Sequence, residues 1–196
     1  PAYETSGNVQ LDHLLGAQVH LLPPGTDRDG ALRRMASALK KSGRTPYVIP
    51  SGGSNATGAL GYVACAEELE AQADTDGERI DYLVHATGSG GTQAGLIAGF
   101  QAIASQTGVL GVDITAHAAD LRGKVSAIAK DTLARLGGGD RFSKDALQIV
   151  EGYAGGAYGM PTEEMRAAVR LVARLEGLIL DPVYAGKAMA GLIDLV

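Results

Sequence analysis

The chain has 196 residues, 45% of them hydrophobic, and a formal net charge of -5 at pH 7. That size suits one large domain or a piece of two, and an interspersed, net acidic charge argues against nucleic acid as a partner. No apolar run reaches the length of a membrane span, and the one cysteine, Cys65, excludes an intrachain disulfide and suits a reducing, cytoplasmic compartment.

Pro1-Ala-Tyr-Glu4 opens the chain without an initiator Met or signal pattern, and Gly191–Val196 closes it inside an apolar helix, so an internal fragment is expected. Gly7 to Leu15 is predicted helical and Gln18 to Leu22 a strand. Asp27 caps a helix to Lys41 with Leu32, Met35, Ala36 and Leu39 on one face, and Gly43 stops it. Pro46 to Pro50 is a predicted short strand that ends in Ser51-Gly-Gly-Ser-Asn55. A helix follows from about Thr57 to Ala73, with Cys65 as a buried small side chain.

Tyr82 to Ala86 is an apolar strand, and a helix runs from Gln93 to about Ser105. Between them lies Thr87-Gly-Ser-Gly-Gly-Thr92. At a helix N-terminus several backbone N–H groups are free, the glycines remove Cβ atoms, and Ser89 and Thr92 add hydroxyls, so this loop reads as a phosphate cradle. Val109 to Thr115 is a further strand, Asp120 to Leu136 a helix, and Ala146 to Val150 a short strand. Thr162 caps a helix that buries Met165, Val169 and Val172 and ends near Gly177. After the apolar run Leu178 to Leu180, the last helix starts at Gly186. This alternation predicts an α/β fold of right-handed βαβ units on a mostly parallel sheet, with ligands beyond the C-terminal strand ends.

Familiar motifs fail on the residues. Counting from Gly88, the third Gly of a dinucleotide fingerprint falls on Gln93, and no Gly-Lys pair is followed by Ser or Thr. Gly52-Gly-Ser-Asn-Ala56 is one residue short of a nucleophile elbow, and no histidine follows an acid late in the chain. The histidines have no metal-ligand spacing, and His85 reads as a core or wall residue. Tyr153 and Tyr158 lie in the flexible segment Glu151–Pro161, and Tyr184 in a strand-to-helix turn fixed by Pro182 and Gly186. Loop placement marks Tyr158 and Tyr184 for a site, where a phenol can position a substrate or handle a proton.

Three separated blocks then act together: Tyr47–Tyr62, His85–Gly95 and Leu180–Asp194. They resemble, in the same order, the family of D-cysteine desulfhydrase, L-cysteate sulfo-lyase and aminocyclopropane-carboxylate deaminase. The resemblance runs from the Gly7-Asn8 block to the last residue. It implies the two-domain tryptophan synthase β-like fold with its N-terminal part missing: residues 1–51 would end the small domain and 52–196 form most of the large one. It implies pyridoxal 5'-phosphate as cofactor, its phosphate held by Gly88, Ser89, Gly90, Gly91 and Thr92, with Tyr158 and Tyr184 as the two active-site tyrosines. A small amino-acid substrate and a homodimer are expected with it, and no metal.

The sequence departs from the family in two places. The family's Schiff-base lysine lies in an N-terminal Gly-Gly-Asn-Lys segment and its substrate-carboxylate loop reads Ser-Asn-His; neither occurs here. None of Lys40, Lys41, Lys124, Lys130, Lys144 and Lys187 has that context, so the chain alone is expected to be inactive. After Tyr184, the deaminases carry Glu and the desulfhydrases Thr; Ala185 offers no side-chain partner to the pyridine nitrogen. The resemblance therefore implies α,β-elimination from D-cysteine or L-cysteate, giving pyruvate, ammonia and sulfide or sulfite, in preference to ring-opening deamination. A non-catalytic relative that binds a phosphorylated ligand is the alternative from another class.

Overall fold

The computed structural model describes residues 7–196. The chain divides into two compact units, Pro1–Val48 and Ile49–Val196.

Among the described residues of the first unit, α1 (Gly7–Leu14) and α2 (Arg28–Lys41) are the helices. The Asp27 carboxylate caps α2 by accepting from Gly30 N at 2.9 Å. Lys40 and Lys41 close the last turn, where a cation meets the negative end of the helix dipole. Leu32, Ala36 and Leu39 are half-buried, but Met35 is 42% exposed. The predicted strand Gln18 to Leu22 is a loop, and so is Pro46 to Pro50. Neither finds a partner strand among the described residues, and an extended segment without a ladder leaves its apolar side chains outside: Leu21 is 59% and Tyr47 77% exposed.

The second unit is built on a parallel three-stranded sheet, β1 (Tyr82–Thr87), β2 (Gly108–Asp113) and β3 (Gln148–Val150), in the order β1-β2-β3. Tyr82 pairs with Gly108 and Thr87 with Asp113, so β1 and β2 end level. Before β1 runs α3 (Ala56–Asp76), between β1 and β2 lies α4 (Gly91–Ala102), and between β2 and β3 lies α5 (Ala118–Arg135). After β3 come α6 (Glu163–Glu176) and α7 (Ala185–Leu195).

Helix α4 is apolar around most of its circumference and lies in the interior. Leu96, Ile97, Ala98 and Phe100 are at most 2% exposed. Leu96, Ile97 and Phe100 pack with Val109, Leu121, Val125 and Ala129 in the main core cluster, against which Cys65 is half-buried rather than buried as expected, and Ala98 packs with Val63 and Leu133 in a second cluster. Two glycines let α3 approach α4 closely. A Cβ at Gly95 would meet Tyr62 Cβ at 2.6 Å, and one at Gly99 would meet Ala66 Cβ at 2.7 Å. Gln93 is also fully buried in α4, where its Nε2 donates to the Gln148 carbonyl at 2.7 Å and so ties the helix to β3.

Thr162 caps α6 as its sequence predicts, with Met165 N donating to its hydroxyl at 3.2 Å, and Gly177 ends it in the left-handed region at φ 69°. Met165, Ala168 and Val172 are buried, and Val169 half-buried. The run Leu178 to Leu180 is not a strand; Ile179 is 85% exposed and pairs with nothing among the described residues. The turn into α7 is held from within instead, by Asp181.

Candidate functional site

The loop after β1 is where sequence and fold agree most closely. Helix α4 begins at Gly91, two residues before the predicted start, so Gly91 and Thr92 belong to its first turn. Gly90 is the N-cap residue at φ 89°, a left-handed conformation that glycine adopts without strain, and it supplies no side-chain cap. The contrast with α3 is instructive. There Asn55 accepts from Thr57 N at 3.0 Å and Gly58 N at 2.8 Å, closing its own helix end. At α4 the N–H groups of Ser89, Gly90 and Thr92 have no acceptor among the described residues. An uncapped helix N-terminus is a binding site for an anion.

A second glycine loop is folded against the first. Ser51–Gly53 forms a 3-10 turn, with Gly52 at φ 68°. Ser54 Oγ donates to Ser89 Oγ at 2.7 Å and accepts from Gly91 N at 3.2 Å. The approach is close enough that a Cβ at Gly52 would lie 2.5 Å from Ser89 Oγ. Ser54 is thus a site residue that the sequence places only in a neighbouring loop; nothing local marks its bond to Ser89, 35 residues away. Below the cradle, Thr87 is 2% exposed and its hydroxyl oxygen has no partner.

The two marked tyrosines come together. The Tyr158 and Tyr184 hydroxyls are hydrogen-bonded, and their rings stand edge to face with centroids 6.2 Å apart. That bond, with lesser help from partial burial and nearby charge, raises the Tyr158 phenol to about 12, so it stays protonated at neutral pH. Tyr153 is not with them; its hydroxyl donates to Asp194 at 2.8 Å.

Tyr184 is set by Asp181. One carboxylate oxygen accepts from Val183 N at 2.8 Å and Tyr184 N at 2.7 Å, and the other from Ala185 N at 2.8 Å. Burial alone would raise that carboxyl, but the three N–H donors hold it below its usual value. Tyr184 also lines an apolar cleft with Val84, His85, Ala86, Ala185 and Ala188. The three β1 residues immediately precede Thr87, so the cleft and the cradle share a strand; no hydrogen bond joins the tyrosine pair to the loop. In that wall, His85 Nδ1 meets the Ala86 carbonyl at 2.8 Å while Nε2 is buried without a partner. Burial outweighs the carbonyl's opposite effect and lowers the imidazole to about 4, so it is neutral at pH 7.

Comparison with known proteins gives the family. Residues 1–196, the whole of the given sequence, match the family of pyridoxal-phosphate dependent enzymes. The chain belongs to that family. Among curated relatives, a 1-aminocyclopropane-1-carboxylate deaminase of Mesorhizobium japonicum is 43% identical over 99% of the chain. A D-cysteine desulfhydrase of Yersinia pestis is 42% identical over 98%. The chain spans 58% of the first relative's length and 57% of the second's. A crystal structure of an ACC deaminase homologue superposes with a TM-score of 0.84 at 34% identity, covering 97% of this chain and 57% of that one.

The residues present fit the phosphate end of the family's cofactor. The cradle has free N–H donors, hydroxyls at Ser89 and Thr92, and backbone positions where a methyl group would intrude. No cluster of metal-ligating side chains occurs among the described residues, and no helix there is long and apolar enough to cross a membrane.

Proposed function

We propose that the full-length protein is a pyridoxal-phosphate-dependent lyase that eliminates a β substituent, sulfide or sulfite, from D-cysteine, L-cysteate or a similar small amino acid. The observation that carries the choice of reaction is Ala185. It stands beside Tyr184 in the cleft and has no polar side chain, whereas the deaminases that the sequence resembles carry Glu there and the desulfhydrases Thr, so it departs from both and lacks the carboxylate that marks the deaminases. Bound pyridoxal phosphate would supply the electron sink for a carbanion at the substrate's Cα.

This chain's own residues then have separate tasks. Gly88, Ser89, Gly90, Gly91 and Thr92 hold the phosphate through backbone N–H groups and hydroxyls, with Ser54 fixing Ser89. Tyr184, oriented by Asp181, donates to the substrate from one side. Tyr158 completes the pair, and its raised phenol pKa keeps a proton at that oxygen for orienting the substrate or passing it to a leaving group. Val84, Ala86 and Ala188 give the cleft an apolar wall. Residues 1–51 end the small domain and 52–196 form most of the large one, and the whole protein is a homodimer.

A second reading is ring-opening deamination, favoured by the 43% identity to a 1-aminocyclopropane-1-carboxylate deaminase. One experiment separates the two. The full-length protein, supplied with pyridoxal phosphate, is given D-cysteine, L-cysteate and 1-aminocyclopropane-1-carboxylate in parallel. Pyruvate with sulfide or sulfite supports elimination; a four-carbon keto acid from the cyclopropane alone overturns it. Tyr158→Phe and Tyr184→Phe are each expected to slow the productive reaction without releasing cofactor.

A further inference from the structure

Lys187 is the one fully buried lysine among the described residues, at 0% exposure, and the proposed reaction gives it no task. Its Nζ donates to the Ala154 carbonyl at 2.6 Å, and no carboxylate among the described residues pairs with it. Three features make this a costly place for an ammonium group. It is taken out of water, it has one acceptor for three N–H donors, and it sits in the first turn of α7, where the helix dipole is positive. Burial lowers its pKa accordingly. A methionine would fill the same space without those costs, so packing alone does not account for a lysine here.

The acceptor shows what the lysine does. Ala154 is 5% exposed and lies in the segment 151–161, which has no helix or strand. That segment bends through left-handed glycines at Gly152, Gly155 and Gly159, with φ of 104°, 75° and 78°. Such a stretch has much backbone freedom to lose on ordering. Its other side-chain bonds, from Tyr153 to Asp194, Arg122 to Glu151 and Tyr158 to Tyr184, are exposed. The Lys187 bond is the buried one, four residues before Tyr158 and three residues after Tyr184.

We propose that Lys187 is a positioning residue, tying the Ala154 carbonyl to the start of α7 so that the glycine-rich segment holds Tyr158 against Tyr184. The role given to the tyrosines rests on the function proposed above; the tether does not. Gly186 and Gly191 give α7 the fit that the tether needs. A Cβ at Gly186 would meet Val169 Cγ2 at 2.7 Å, and one at Gly191 would meet Val112 Cγ2 at 2.9 Å. Helix α7 is therefore seated on both α6 and β2, and is a firm anchor for a loop.

The test compares full-length wild type with Lys187→Met, Lys187→Gln, Tyr158→Phe and the double variant Lys187→Met with Tyr158→Phe. Hydrogen exchange by mass spectrometry reads the loop directly. In Lys187→Met, the Met160 amide, which donates to the Ala157 carbonyl within the segment at 3.1 Å, is expected to exchange about tenfold faster, the protection that one hydrogen bond provides, with α6 and α7 within about twofold of wild type. Thermal stability should hold or rise. Lys187→Gln keeps a donor and should recover part of the protection. Turnover should fall in Lys187→Met, and the double variant should be no slower than Tyr158→Phe alone. Unchanged exchange at Met160 overturns the proposal. So does a general loss of protection with a lowered Tm, or losses that multiply in the double variant. If wild type turns over none of the three substrates, the proposed function fails while the exchange data still decide the tether.

Discussion

Gly91→Ala puts one methyl group into the proposed phosphate cradle. Its Cβ would lie 2.7 Å from Ser54 Oγ, 3.1 Å from Ser54 Cα and 3.2 Å from Ser54 Cβ. Part of that obstacle is backbone, so a rotamer change cannot relieve it. Ser54 must retreat, and in doing so it loosens its bonds to Ser89 Oγ and Gly91 N, at 2.7 and 3.2 Å. Two such bonds contribute about 2 kcal/mol together. Alanine regains up to about 1 kcal/mol over glycine inside a helix, and less in a first turn. Gly91 is not at positive φ, so no backbone strain is added. The net cost is about 1 kcal/mol, or roughly 2–4 °C in Tm for a domain of this size. Cofactor binding should suffer more. Losing one charge-assisted bond to the phosphate, at about 1.5–3 kcal/mol, weakens the Kd roughly 10- to 100-fold. Titration of full-length wild type and Gly91→Ala with pyridoxal 5'-phosphate, followed by its absorbance, measures this. A lowered Tm with cofactor affinity within about twofold of wild type would refute the cradle as the phosphate grip.

Asp181→Ala removes the acceptor for three backbone N–H groups and should cost about 1–2 kcal/mol, as loss of a helix cap does, while freeing Tyr184. Because the folded Asp181 pKa is lowered, its stabilisation is present above the ordinary carboxylate value and disappears as pH falls through the folded one. Thermal melts at neutral and strongly acidic pH should show the gap between wild type and variant closing; a constant gap argues against the carboxylate. His85 has its folded pKa lowered from 6.5 to about 4, so the unfolded chain binds the extra proton first. Stability is complete above about pH 6.5 and falls as pH drops toward 4, by at most about 1.4 kcal/mol per unit and roughly 3 kcal/mol in all. His85→Leu should flatten that slope in urea melts across the window, and an unchanged slope would remove His85 as its source.

Much of the fold is written in local pattern. The Asp27 and Thr162 caps and the glycine stops depend on neighbours within a few residues, and each forms at or near its expected position, as do β1 and β2, which complete each other's ladder. The exceptions have one cause. Gln18–Leu22 and Pro46–Pro50 carry strand-like composition, but a strand exists only when a second chain segment completes its ladder.

The site divides in the same way. That Thr87 to Thr92 joins a strand end to a helix start through three glycines is a property of consecutive residues, and the sequence by itself determined it. Family membership was legible too, because three spaced blocks carry it. Only the tertiary structure decided that Ser54 would bond Ser89, that Tyr158 would reach Tyr184 across 26 residues, and that Lys187 would be buried against Ala154, 33 residues away. Those contacts depend on how helices and loops pack over the sheet, which no short window of sequence contains. Lys187 makes the point most sharply: by composition it is a surface charge, and its burial is decided by α7 settling on α6 and β2.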